Sequence, residues 1–174
     1  MPGQYLSKPK LSKRMQLFLE HALKDAPLWD ICCDHGHVGI GALEQKISSE
    51  VHFVDQLPHI FERLDQLIKQ TLPDQSNIKY FLHPLKGEQI DFTVNGTCLI
   101  AGVGGLTIKR ILEALFVADK LQAQRLLLSP HTDIQVMLDF LESADFANHY
   151  TLVEKFSLKE RKKIRSLYIL DKKS

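Results

Sequence analysis

The chain lacks the features that would place it in a membrane or a secretory compartment. No unbroken apolar run reaches the ~20 residues of a spanning helix. The opening Met1-Pro2-Gly3-Gln4 has no apolar signal-peptide core. Cysteine is sparse: three residues, two of them the neighbours Cys32 and Cys33, do not make a disulfide framework. Adjacent strand residues also face opposite ways, so these two are poor bridging partners. A reducing cytoplasm is the expected location. One-sided charge is absent too. With 22 Lys and Arg against 21 Asp and Glu, the net charge is +1, and no global attraction to nucleic acid follows. There is no G-x-G-x-x-G, so a nicotinamide-binding fingerprint is missing. The lack of a G-x-S-x-G elbow argues against a nucleophilic hydrolase. Internal repeats, low-complexity segments and clear linkers are also missing, so residues 1–174 are expected to form one domain, with 1–10 a loose arm.

What is present is a regular alternation. At 44% hydrophobic and 25% charged, the composition is that of a globular protein. Leu11, Met15, Phe18 and Ala22 share one helix face, with Ser12 as an N-cap; Pro27 ends that helix. Strands are expected at 28–33, 50–55, 78–82, 96–101 and 125–128. Helices are expected at 38–45, over Ile60 to Ile68, over Ile108 to Leu115, and over Ile134 to Leu141. Thr132 and Gln135 fit a capping box for the last of these. The pattern then changes. Residues 150–156 and 164–170 read as two strands with only a short basic stretch between them, most simply an antiparallel pair. The expected fold class is α/β, with a mostly parallel sheet and a C-terminal antiparallel hairpin.

Candidate chemistry gathers where strands end, because ligands of open parallel sheets bind at the carboxyl edge. The first such end is Asp30-Ile31-Cys32-Cys33-Asp34-His35-Gly36-His37. It places an acid, then a spacing of two that ends on a glycine. Asp55 ends the second strand 25 positions after Asp30, close to the ~20-residue offset of a ribose-binding acid. It equally suits a cap for the next helix. The third strand end carries His83-Pro84. The fourth enters Ala101-Gly102-Val103-Gly104-Gly105, where three glycines allow either a flat substrate or a tight turn. Cys32, Cys33, Asp34, His35 and His37 crowd together, but no second ligand pair of zinc spacing accompanies them, and no metal is expected. Basic residues cluster at Lys8, Lys10, Lys13 and Arg14 and again at Lys159, Arg161, Lys162, Lys163 and Arg165, as phosphate contacts or as solvated faces.

These stretches resemble the bacterial tRNA (adenine-22-N1)-methyltransferase family, whose members are class I methyltransferases with a Rossmann-like fold. Leu11-Ser12-Lys13-Arg14-Met15 is similar to that family's L-S-K-R-L opening. Asp30-Ile31-x-x-Asp34-His35 is similar to D-I-G-S-D-H, and Ile100-Ala101-Gly102-Val103-Gly104-Gly105 to I-A-G-M-G-G. The likeness runs from about Leu11 to Leu170. It departs at Cys32-Cys33, where the family has Gly-Ser, at His83-Pro84, where a G-D-G or G-N-G turn is usual, and at Ser129-Pro130-His131, where Q-P-N stands. The family's C-terminal helical extension has no counterpart in these residues. The resemblance implies S-adenosylmethionine as cofactor and methyl transfer to N1 of an adenine in tRNA. It also implies that Asp30, Cys32, Cys33, Asp34, Gly36, Asp55, Gln56, His83, Pro84, Ala101 and Gly102 bind the cofactor. Asp34 and His35 would serve catalysis, and Lys13, Arg14, Gly104, Gly105, Pro130 and His131 the substrate. An RNA- or partner-binding module without catalysis, and a methyltransferase with another substrate, are the rival expectations.

Overall fold

The computed structural model describes residues 10–72, 77–160 and 162–174. Residues 1–9 of the expected arm, with Lys8 of the first basic cluster, and Arg161 of the second lie outside the described residues. In chain order the elements are α1 (Lys13–His21), β1 (Leu28–Ile31), α2 (His37–Glu44), β2 (Glu50–Asp55), α3 (His59–Thr71), β3 (Lys79–Pro84), β4 (Thr97–Ala101), α4 (Gly105–Val117), β5 (Arg125–Ser129), α5 (Ile134–Leu141), α6 (Ala144–Ala147), β6 (Tyr150–Glu160) and β7 (Lys163–Lys172).

The seven strands form one sheet in the order β3-β2-β1-β4-β5-β7-β6. β1 to β5 run parallel, β7 runs antiparallel to β5, and β6 antiparallel to β7. β1 and β4 are buried almost throughout, as the continuous apolar runs of central parallel strands require. Each sheet face carries its own core. On one face Trp29, Ile31, Ile100 and Leu128 pack with Ile108, Ile111 and Leu112 of α4 and Met137 of α5. On the other, Leu28, Phe53, Leu99 and Leu127 pack with Phe18 of α1, Ile40 of α2 and Leu64 of α3. A fully buried side chain of this kind stabilises the fold by roughly 1.5–3 kcal/mol. At the β5–β7 seam Arg125 makes a two-pronged ion pair with Asp171, Nε to Oδ1 at 2.7 Å and Nη2 to Oδ2 at 2.8 Å.

Three local expectations are corrected. The strict strand–helix alternation fails between β3 and β4, where the described connection holds only a 3-10 turn at Gly87–Gln89. Ile90 and Val94 of this connection fill the first core directly. The Thr132/Gln135 capping box does not form: Asp133 is the α5 N-cap, at φ 52°. The Thr132 carbonyl accepts from Gly105 N at 2.7 Å, its hydroxyl donates to Asp133, and Gln135 donates to Asp139. The hairpin strands are longer than their apolar runs, because ladder pairing continues through the basic residues to Glu160 opposite Lys163. Ser12 does cap α1, its hydroxyl accepting from Met15 N at 3.3 Å.

Candidate active site

Parallel pairing brings the ends of β1, β2, β4 and β5 to one edge: Ile31 lies beside Val54 and Ile100, and Ala101 beside Ser129. The turn after β1 stands at its centre. Cys32, Asp34 and Gly36 all hold positive φ, at 61°, 48° and 65°. A left-handed residue with a Cβ costs roughly 1–2 kcal/mol, so two of the three positions carry strain that glycine would avoid.

Hydrogen bonds fix this turn. Cys33 N donates to Val54 O at 3.1 Å, and Gly36 N donates to Cys33 O at 2.8 Å. Asp34 N donates to Asp55 Oδ2 at 3.1 Å, while Asp55 Oδ1 accepts from Leu57 N at 3.1 Å. Asp55 does not cap α3, whose N-cap is Pro58; it holds the Leu57 amide before that helix and lines the edge. Asp30 lies beneath the turn and accepts from Gly39 N, in the first turn of α2, at 3.0 Å. Burial first, with Asp55 adding to it, pushes the Asp30 carboxyl up to about 7 against the pull of that amide.

Two cavities open at this edge. The larger, about 510 Å³, is lined by Asp34, Asp55, Gln56, Lys86, Glu88 and Arg110 among others. The smaller, about 240 Å³, is lined by Arg14, Phe18, Cys33, His35, His37, Ala101 and His131 among others, with Asp30 at its base. Cys32, Asp34 and Gly102 border both. Gly102 has φ 81°, and nothing lies within 4 Å of where its Cβ would stand. The backbone there is bare towards the cavities.

The side chains divide the chemistry. The Asp34 and His35 side chains are 72% and 56% exposed, with His35 Nε2 3.7 Å from Asp34 Oδ2. An exposed pair at that distance contributes little stability, which leaves both side chains free to meet a substrate. The His35 ring stacks on His37 at 5.5 Å. His37 is held below the ordinary histidine range by burial and then by His35; His131 is held below it by burial and then by Arg165 and Arg14. Both are therefore neutral at neutral pH. Arg14 Nη1 lies 3.1 Å from His131 Nε2, so this nitrogen accepts. The Cys32 thiol, packed against the first core, is pushed up to about 12 by burial and by Asp55. Burial raises Cys33 as well, within the second core. Neither supplies a thiolate nucleophile, and all three cysteines are free.

Other expected site residues are placed elsewhere. His83 does not border the cavities among their described lining residues; it lies 3.0 Å from His52, in a ring stack with Trp29, Phe81 and Phe92. Pro84 ends β3 and is exposed. The 3-10 turn that follows supplies Lys86, Gly87 and Glu88 to the wall instead. Gly104 and Gly105 serve packing: added Cβ atoms would sit 2.8 Å from Thr132 Oγ1 and 2.8 Å from Asp133 C, respectively. Lys13 is exposed, and Pro130 is buried behind His131. Lys86, Glu88, Thr107 and Arg110 carry no signal in the sequence, since polar residues after a strand or on a helix do not reveal the cavity they line. No described helix is long and apolar enough to cross a membrane.

A family model described as a methyltransferase domain matches residues 11–167. No curated protein matches the chain. Among solved structures it is similar to an uncharacterised Listeria monocytogenes protein, at 22% identity and a TM-score of 0.79, covering 93% of this chain and 68% of that one. The B. subtilis M1A22 tRNA methyltransferase TrmK gives 23%, 0.76, 93% and 66%. A putative tRNA (m1A22) methyltransferase of Streptococcus pneumoniae, in complex with S-adenosyl-L-methionine, gives 20%, 0.74, 94% and 73%. At these identities the likeness establishes the fold, and the chain spans about two-thirds of its first neighbours' length.

Proposed function

The chain belongs to the methyltransferase-domain family, and from that premise we propose that it transfers a methyl group from S-adenosylmethionine to N1 of an adenine in tRNA. The observation that carries the reading is the pair of cavities that meet at Cys32, Asp34 and Gly102. A two-substrate group transfer needs this arrangement: one chamber for the donor, one for the acceptor, and a narrow junction between them.

The residues present fit the donor. About 510 Å³ lies within the usual 300–1,000 Å³ of a cofactor site. Asp55 has two of its roughly four acceptor positions occupied by backbone amides, which leaves two for ribose hydroxyls. Asp34, Asp55 and Glu88 outnumber Lys86 and Arg110 in the cavity wall, which suits a cationic molecule, and Gly102 leaves space that a Cβ would fill. S-adenosylmethionine supplies an electrophilic methyl group on a sulfonium.

Neutral adenine N1 carries a lone pair and no proton, so this chain need supply no general base. As the N1–methyl bond forms and the sulfur–methyl bond breaks, positive charge moves onto the base. Asp34, at the junction, stabilises that charge. His37 and His131, both neutral, line the acceptor cavity without repelling it. His35 offers a ring face to the entering base. The tRNA assignment is supported by the L-S-K-R and S-D-H-like stretches and by the tRNA methyltransferases among the fold neighbours.

The test is incubation of the purified chain with the methyl donor and an unmodified tRNA transcript, followed by nuclease digestion and mass spectrometry. The reading expects 1-methyladenosine, abolished in Asp34→Ala. Donor binding without 1-methyladenosine overturns the base assignment, and no donor binding by calorimetry overturns the whole reading.

A further inference from the structure

The β6–β7 hairpin reaches well past the catalytic edge. β5 pairs with it no further than Leu128 opposite Tyr168. Lys163 lies five residues before Tyr168, so at ~3.3 Å per residue the tip stands roughly 16 Å beyond that pair. Glu160 and Lys163 face each other across the ladder, as do Leu158 and Arg165. Alternation puts Arg165 on the same face as Leu167 and Ile169, which pack in the second core with α1.

Here the hairpin meets the start of α1. A groove of about 730 Å³ is lined by Ser12, Glu160, Lys162, Lys163 and Arg165. Arg14 contacts the groove's Glu160, with Nε 3.4 Å from Glu160 Oε2. Arg165 Nη1 donates to the His131 carbonyl at 3.4 Å. Arg14 and His131 line the acceptor cavity, so the groove's Glu160 and Arg165 each touch a residue of that cavity's wall.

The charges in this groove are unbalanced. Lys162, Lys163 and Arg165 line it with a single carboxylate, Glu160, which Arg14 also contacts. Nε of Arg14 and Nε of Arg165 are both buried and make no hydrogen bond. A buried guanidinium N–H without an acceptor is costly, and an arginine fork matches the oxygens of a phosphate. One carboxylate held at 3.4 Å satisfies little of this demand.

We propose that this groove is a phosphate seat for the RNA strand whose base enters the acceptor cavity, and that Glu160 occupies it as an internal stand-in until an RNA phosphodiester displaces it. The proposal rests on the reading of the protein as an RNA methyltransferase, because that reading puts a nucleotide in the adjoining cavity. Displacement of Glu160 turns Arg14 and Arg165 onto the strand, while Lys162 and Lys163 meet the next phosphate along the hairpin.

The experiment measures affinity of the full chain for an unmodified tRNA transcript by fluorescence anisotropy across a salt series. Glu160→Gln keeps the shape and removes the competing charge; it should tighten RNA binding by about threefold to tenfold at low salt. Arg165→Ala should weaken binding and reduce the steepness of the log–log salt dependence by about 0.7–0.9 for each phosphate no longer neutralised. Lys163→Gln, at an exposed strand end, gives the same direction without risk to the fold. Unchanged or weaker binding by Glu160→Gln, with an unaltered melting temperature, overturns the proposal. So does competition by inorganic phosphate or polyglutamate as effective as RNA at matched ionic strength. Binding is read without turnover, so the two readings fail separately. Tightening by Glu160→Gln with no 1-methyladenosine leaves the seat and removes the adenine assignment. Turnover with no response to Glu160→Gln does the reverse.

Discussion

Asp30 offers a test of the site's electrostatics that needs no ligand. Its carboxyl is buried under the β1 turn, with Gly39 N at 3.0 Å as its hydrogen-bond donor. Burial first, and Asp55 in addition, raise it from 3.8 to about 7. A folded value above the unfolded one means stability that is present below the unfolded value and lost as pH rises through the folded one. The window is therefore about pH 4 to 7, where each unit costs the native state about 1.4 kcal/mol. The full penalty approaches about 4 kcal/mol, most of it, about 3 kcal/mol, falling between pH 5 and pH 8. Asp30→Asn retains an oxygen for Gly39 N and cannot ionise. Urea unfolding of both proteins at about pH 5 and about pH 8 isolates the group, since all other titrations cancel in the difference. The variant should gain about 3 kcal/mol on the wild type between the two conditions. Parallel pH dependences, with a change below about 0.5 kcal/mol, would refute a buried, raised Asp30.

Three further outcomes follow from the packing. Gly39→Ala would set a Cβ 2.7 Å from Phe53 Cζ and 2.9 Å from Val51 Cγ1. Overpacking of this kind costs about 1–3 kcal/mol or more, seen as a lower melting temperature. Gly102→Ala meets no neighbour but holds φ 81°; it should cost about 1 kcal/mol of stability while weakening donor affinity by about tenfold or more in calorimetry, because the new methyl stands in both cavities. The three cysteines should resist a thiol reagent at neutral pH in the native state and all react in denaturant, with burial pushing Cys32 and Cys98 up to about 12. A fast-reacting native thiol would contradict the packing of Cys32 against the first core.

Periodicity and punctuation in the chain determined a good deal by themselves. Apolar spacing of 3.6 and continuous apolar runs placed five parallel strands, and the change of pattern after Tyr150 announced the antiparallel pair. These are local signals, written in neighbouring residues. The acids Asp30 and Asp55 were legible because strand ends in such a sheet share one edge. Tertiary structure alone decided how that edge is used. Three glycines after β4 looked alike, yet Gly102 faces open space while Gly104 and Gly105 are pressed against the Thr132–Asp133 backbone and side chains. Lys86 and Glu88 line the wall where His83 was expected, because a 3-10 turn in the connection to β4 carries them to the edge. Cys32 and Asp34 hold left-handed backbones at positions where glycine is usual, sustained by Val54 and Asp55 from the neighbouring strand. Arg14 reaches His131 across 117 positions of sequence. No window of sequence contains that pairing, since it depends on the order in which strands pair and on which face of the sheet α1 covers.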